Sequence, residues 1–273
     1  MYASFHTVGL PRRSLKDVIK AVKDAGYAGI ELNAETLPWA EAHITPATPK
    51  EEREDIRRAI ASAKLKVPAI GAHIPMLHPE EALRRQAIDF MKGCNDLAVE
   101  MGSSYVHVLS GPLAANTSRE IAWGWFADAI GELVEHASER DVQLGIEAIA
   151  GHIFHSAKDY ARLASDLPGV PFKINFDPSQ IVVQGASPFE IVDRFADRIA
   201  HVHMKDGSGR FPDFAFPPLG EGEIDFKALV DRLRDAGYDG ALSIEYEAQV
   251  YGFTRTDEQI LDESRAFLSN LSV

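Results

Sequence analysis

Glu147, Asp177, His203 and Glu245 are the residues of this chain whose types and spacing could do chemistry together. Each closes a short apolar segment; the four segments read LGIEA, FKINFD, AHVHMKD and ALSIEYE. Three carboxylates and an imidazole suit a divalent cation, with Mn²⁺ favoured and Mg²⁺, Co²⁺ or Zn²⁺ as alternatives. Side chains alternate faces along a strand. The residues just before the four, Ile146, Phe176, Val202 and Ile244, are all apolar and are expected to pack outward. The four candidates then point inward at one end of a sheet. Singly, each could be a helix cap, an ion-pair partner or a hydrogen-bonded core residue. Jointly, three inward carboxylates would repel one another unless protonated or metal-bound. The expectation is one metal and an enzyme.

The elements that must position these residues alternate from end to end. Strands are predicted at Tyr2–His6, Gly29–Leu32, Val67–His73, Tyr105–Val108, Gln143–Glu147, Phe172–Asp177, Ile199–His203 and Ala241–Glu245. Helices are predicted near 14–25, 49–64, 79–101, 118–140, 156–167, 187–197, 225–236 and 256–270. Ser14 and Thr48, the latter followed by Pro49, read as helix N-caps. Eight strand–helix repeats predict a mostly parallel sheet closed into a single (β/α)₈ TIM barrel over residues 1–273. Asp24-Ala25-Gly26-Tyr27-Ala28-Gly29 recurs as Asp235-Ala236-Gly237-Tyr238-Asp239-Gly240, a shared loop with its first glycine as a left-handed helix C-cap. Lys205–Ile224 is the longest irregular stretch, and a connection that long usually carries function.

Composition narrows the field. With 28 Lys and Arg against 41 Asp and Glu, the net charge of −13 disfavours a nucleic-acid partner. No run approaches the ~20 apolar residues of a membrane helix, and the first residues do not read as a secretory signal. A cytoplasmic enzyme without a membrane partner is expected. The single cysteine, Cys94, lies in a helical pattern and reads as an inert thiol.

Further residues sit near the same barrel end. His73 and His107, on the third and fourth strands, read as substrate contacts, a second metal site or hydrogen-bonded rim residues. The segment from Phe211 to Pro218 reads as an aromatic lid or as a loop packed on its own barrel. Gly207-Ser208-Gly209-Arg210 could hold an anion, but the last strand's loop offers no glycine-rich cradle. A non-phosphorylated substrate is therefore favoured.

Several motifs carry a family likeness: GIEL at 29–32, GIEA at 145–148, NFDPSQ at 175–180, HVHMKD at 201–206, LGEGEIDF at 219–226 and GYDGALSIEYE at 237–247. By these the chain resembles the xylose isomerase-like TIM barrel superfamily, and especially its sugar phosphate isomerase/epimerase branch. The resemblance implies that Glu147, Asp177, His203 and Glu245 hold one metal, with Glu147 and Glu245 also acting as acid and base. A cation chelating a carbonyl and its neighbouring hydroxyl acidifies the α-proton, and two flanking carboxylates can move that proton between faces.

The resemblance thus implies an isomerase or epimerase acting on a carbohydrate, a ketose or keto-sugar, with His73, His107, Gln180, Lys205 and Arg210 near the substrate. The rival reading keeps the metal and ends in β-elimination, as a lyase or dehydratase on a 3-keto-glycoside or inosose. A metal-free binding barrel is the remote alternative. Related barrels also imply a homodimer or homotetramer. Two departures matter: Gln180 stands where members often carry histidine, and Asp213 is followed by Phe214 and Ala215 rather than the Asp-x-His of the DNA-repair branch.

Overall fold

The computed structural model describes residues 1–273. The first half runs β1 (Tyr2–His6), α1 (Leu15–Asp24), β2 (Gly29–Asn33), α2 (Lys50–Ala63), β3 (Ile70–Gly71), α3 (Glu81–Met101), β4 (Tyr105–Val108) and α4 (Arg119–Ser138). The second half continues with β5 (Gln143–Glu147), α5 (Ala157–Asp166), β6 (Lys173–Phe176), α6 (Pro178–Val182), α7 (Phe189–Phe195) and β7 (Ile199–Met204). A hairpin of β8 (Ser208–Arg210) and β9 (Asp213–Ala215) follows, then α8 (Phe226–Asp235), β10 (Ala241–Ile244) and α9 (Asp257–Asn270). Eight parallel strands close in the order β1-β10-β7-β6-β5-β4-β3-β2, so the chain is a (β/α)₈ barrel.

Local chemistry explains the outer ring. Ser14 caps α1 by accepting from the Asp17 N–H, and Leu15, Val18, Ile19 and Val22 form its buried stripe. Burying each such side chain contributes roughly 1.5–3 kcal/mol. The repeated loops end their helices alike. Gly26 and Gly237 have φ of 81° and 84°, and the next N–H reaches back to Val22 in one loop and Leu233 in the other.

Three expectations need correction. The third strand spans only Ile70–Gly71, because Pro68 lacks an N–H and the flanking backbone makes few ladder bonds. Thr48 does not cap α2; its hydroxyl accepts from the Thr45 N–H, and the helix starts at Lys50. The stretch 205–224 is not wholly irregular, since β8 and β9 pair antiparallel within it.

The core has two parts of opposite character. Ile146, Phe176, Val202 and Ile244 face outward and are buried against the helices, in the continuous apolar layer between barrel and ring. The barrel interior is instead polar: Ser4, His6, Glu31, Tyr105, His107, Asn175, His201, His203 and Ser243 are all buried. Such interiors are usually filled by branched aliphatics. Glycines make room for the bulkier members; a Cβ on Gly145 would meet the Tyr105 hydroxyl at 1.7 Å, and one on Gly71 the His6 ring at 2.9 Å.

Candidate metal centre

Strand alternation and barrel closure bring the four sequence-predicted ligands together. Glu147 ends β5, Asp177 follows β6, His203 lies in β7 and Glu245 follows β10. One ligand atom from each lies within 4.8 Å of the others, and all four residues are buried. The His203 Nδ1 faces this cluster, 3.3 Å from Glu147 Oε2 and 3.2 Å from Glu245 Oε2. Asp177 has a double role. Its Oδ1 caps α6 by accepting from the Ser179 N–H (2.8 Å) and hydroxyl (2.6 Å), while Oδ2 turns to the cluster.

Lys205, expected near the substrate, lies among the candidate ligands. Its Nζ lies 2.9 Å from Asp177 Oδ2 and 3.0 Å from Glu247 Oε2, and it also donates to Glu245. The ring of Phe216 covers it, with the ammonium 4.6 Å from the centroid. Three carboxylates therefore share one permanent cation. Burial pushes the Glu147 carboxyl up to about 7, opposed by His203. Burial also pushes Glu245 up, but His203 and Lys205 outweigh it and hold this carboxyl well below its usual range. Burial disfavours charge on His203 and Lys205, yet the carboxylates around each keep both well above their ordinary values.

Other expected site residues divide. Gln180 is buried and accepts from the Ala150 N–H at 3.1 Å, tying the loop after β5 to α6. His73 Nε2 lies 3.3 Å from Glu147 Oε2 and 2.6 Å from His107 Nδ1. His107 is fully buried with both ring nitrogens engaged, Nε2 on Glu31 at 2.6 Å, so it stands behind His73 rather than in the mouth. Arg210 is half-exposed in β8 and turned to Glu223 at 2.8 Å, away from the carboxylates. The aromatic loop also splits. Phe216 is buried beside Phe214 and Tyr251, while Phe211 is half-exposed and packs on Gly151. Cys94 is buried, and burial raises its thiol pKa, as an inert group should show.

Sequence reasoning missed several residues. Asn175, two positions before Asp177, donates to Glu147. Glu247, two after Glu245, holds Lys205. Asp206 accepts from the N–H groups of Gly207, Gly220, Gly222 and Ile224, which pins the LGEGEI segment at the mouth. Glu35 is a buried carboxyl with one unpartnered oxygen; burial and the nearby Glu245 and Glu247 raise its pKa well above the usual value. The same-face rule that selected the four ligands could have flagged Asn175 and Glu247.

The donor set fits a divalent cation. Three buried carboxylates and an imidazole converge, Asp177 Oδ2 is met only by the Lys205 ammonium, and Lys205 offsets only part of the negative charge.

A closed barrel with such a centre at its C-terminal mouth defines a (β/α)₈ protein of the kind that places chemistry on strand ends. The chain belongs to the xylose isomerase-like TIM barrel family, whose model matches residues 19–271. It is 24% identical to fructoselysine 3-epimerase of Escherichia coli O157:H7 over 281 residues, covering 98% of both chains. It is 27% identical to inosose dehydratase of Lacticaseibacillus casei over 142 residues, 46% of this chain and 47% of that one. A crystal structure described as a D-tagatose 3-epimerase-like protein superposes with a TM-score of 0.82 at 17% identity, covering 100% of this chain and 97% of that one.

Proposed function

We propose that the protein is a divalent-metal-dependent carbohydrate epimerase or isomerase that works by proton abstraction next to a carbonyl. The observation that carries this reading is the convergence of Glu147, Asp177, His203 and Glu245 around one point, with the two glutamates 3.3 and 3.2 Å from His203 Nδ1. The full-length similarity to a sugar 3-epimerase supports it.

The metal would be held by those four residues, and when bound it stabilises the negative charge that develops on the carbonyl oxygen as the adjacent carbon loses its proton. Glu147 and Glu245 enter from strands separated by β6 and β7, so a carbon between them meets a carboxylate on each face. One takes the proton and the other returns it to the opposite face, which inverts the stereocentre; return to the neighbouring carbon instead moves the carbonyl. Lys205 and the amide of Gln180 suit sugar hydroxyls, His73 adds a ring nitrogen at the rim, and Phe216 offers an apolar wall. His107 acts through His73, and Arg210 stays on the hairpin.

A second reading, β-elimination, is favoured by Lys205. An ammonium inside the site can hold a departing oxygen, and an inosose dehydratase is among the relatives. Incubation in D₂O with Mn²⁺, read by mass spectrometry, separates the two. Free ketoses that gain one deuterium and yield an epimer or aldose, with Glu245→Gln inactive, fit the epimerase. Release of water or aglycone from keto-sugars, with free ketoses untouched, replaces it with the lyase. No exchange in either set sinks both.

A further inference from the structure

Below the mouth, Glu31 sits at zero exposure inside the barrel, ringed by histidines from three other strands. Its Oε1 is 2.6 Å from His107 Nε2 and 3.0 Å from His203 Nε2, and its Oε2 is 2.8 Å from His201 Nε2. His6 Nε2 approaches Oε1 at 3.6 Å. His203 and His107 link this cluster to the mouth, and His6 Nδ1 also lies 3.7 Å from Glu245 Oε1.

We infer that Glu31 is the positioning residue of the metal centre, setting the ring orientation and tautomer with which His203 serves as a ligand. This rests on the metal reading above. An ionised carboxylate offers lone pairs and no proton, so each ring nitrogen facing it must carry its hydrogen. His203 therefore keeps a proton on Nε2, and the nitrogen a cation would take, displacing the proton shared there with the carboxylates, is Nδ1, the one among Glu147 and Glu245. Metal-bound histidines are commonly held through their second nitrogen in this way, which fixes the ring and raises its basicity.

The same carboxylate reaches a second line of residues. His107, protonated on Nε2 towards Glu31, presents Nδ1 as an acceptor, and His73 Nε2 lies 2.6 Å from it. His73 must then be protonated on Nε2, which leaves its Nδ1 as a free acceptor. One buried carboxylate thus sets the hydrogen positions on the candidate ligand and on the rim histidine. His201 binds the other oxygen and prevents the carboxylate from rotating.

The test uses the full-length protein with Zn²⁺ and Mn²⁺ as probes. A long-range ¹H–¹⁵N spectrum of the zinc-loaded protein should show His203 protonated on Nε2 and metallated on Nδ1. A His203 proton on Nδ1 overturns the inference. By calorimetry, Glu31→Gln should weaken Mn²⁺ binding by about 10–100-fold while circular dichroism stays as in the wild type. An affinity within about twofold of wild type in a folded variant also overturns it. If that variant does not fold, Glu31→Asp keeps the charge but is one carbon short of His203. The same loss is expected of it, and unchanged affinity is equally fatal. A wild-type protein that takes up neither ion sinks the metal reading instead. In that case a slowly exchanging His203 Nε2 proton in the metal-free protein upholds the Glu31 contact, and its absence removes it.

Discussion

Replacing Lys205 with methionine tests how the candidate centre balances its charge. The side chain is similar in length and keeps its apolar contact with Phe216, but the ammonium that serves Asp177, Glu245 and Glu247 is lost. All three carboxylates then face one another in a buried site without their one permanent cation. Breaking a buried ion pair from one side costs about 3–5 kcal/mol. In a chain of this size each kcal/mol moves the melting temperature by about 2–4 °C. K205M in EDTA at neutral pH should therefore melt about 6–20 °C below wild type. The assay is differential scanning calorimetry on both proteins, in EDTA and in excess Mn²⁺. Metal should raise the melting temperature of the variant more than that of wild type, because it supplies the positive charge the variant lacks. A shift below about 1 °C in EDTA, well short of that range, would refute the reasoning, since Lys205 would then contribute nothing to holding the carboxylates.

Gly145→Ala should destabilise by about 3 kcal/mol or more, because its Cβ would lie 1.7 Å from the Tyr105 hydroxyl inside a closed barrel; urea unfolding measures it. Asp206→Ala removes the acceptor of four backbone N–H groups, so limited proteolysis should cut within 207–224 at least tenfold faster, about the effect of 1.4 kcal/mol. Glu132 pairs with Arg85 at 2.6 and 2.7 Å and with Lys92 at 2.6 Å, and these cations hold its carboxyl at about 2 against an ordinary 4.5. A depressed pKa contributes stability that is complete above about pH 4.5 and fades as pH falls towards 2. Glu132→Gln should accordingly cost about 1 kcal/mol at pH 7, discounted for solvent screening, and almost nothing at pH 2, as urea titrations at both pH values can show.

Much of the fold was legible because a barrel repeats one local problem. Each repeat needs an apolar strand, a turn and an amphipathic helix, and these leave marks at periods of two and near four residues. The aligned apolar residues before Glu147, Asp177, His203 and Glu245 told which way each strand faced, and hence that the four could meet. The hairpin of β8 and β9 left no such mark, because its strands, SGR and DFA, are three residues long and too short to show a period.

The sequence by itself determined which side chains stand at the strand ends, since alternation along a strand is a local property of the backbone. Only the tertiary structure decided what those side chains meet. Glu31 and His201 are 170 positions apart, and Lys205 and Glu245 are 40 apart. Each pair meets because closing eight strands into a ring turns their inner faces towards one axis. The tilt and register of that closure are set by the packing of the whole barrel, so no local pattern could place the Lys205 ammonium among the carboxylates or gather three histidines on one buried glutamate.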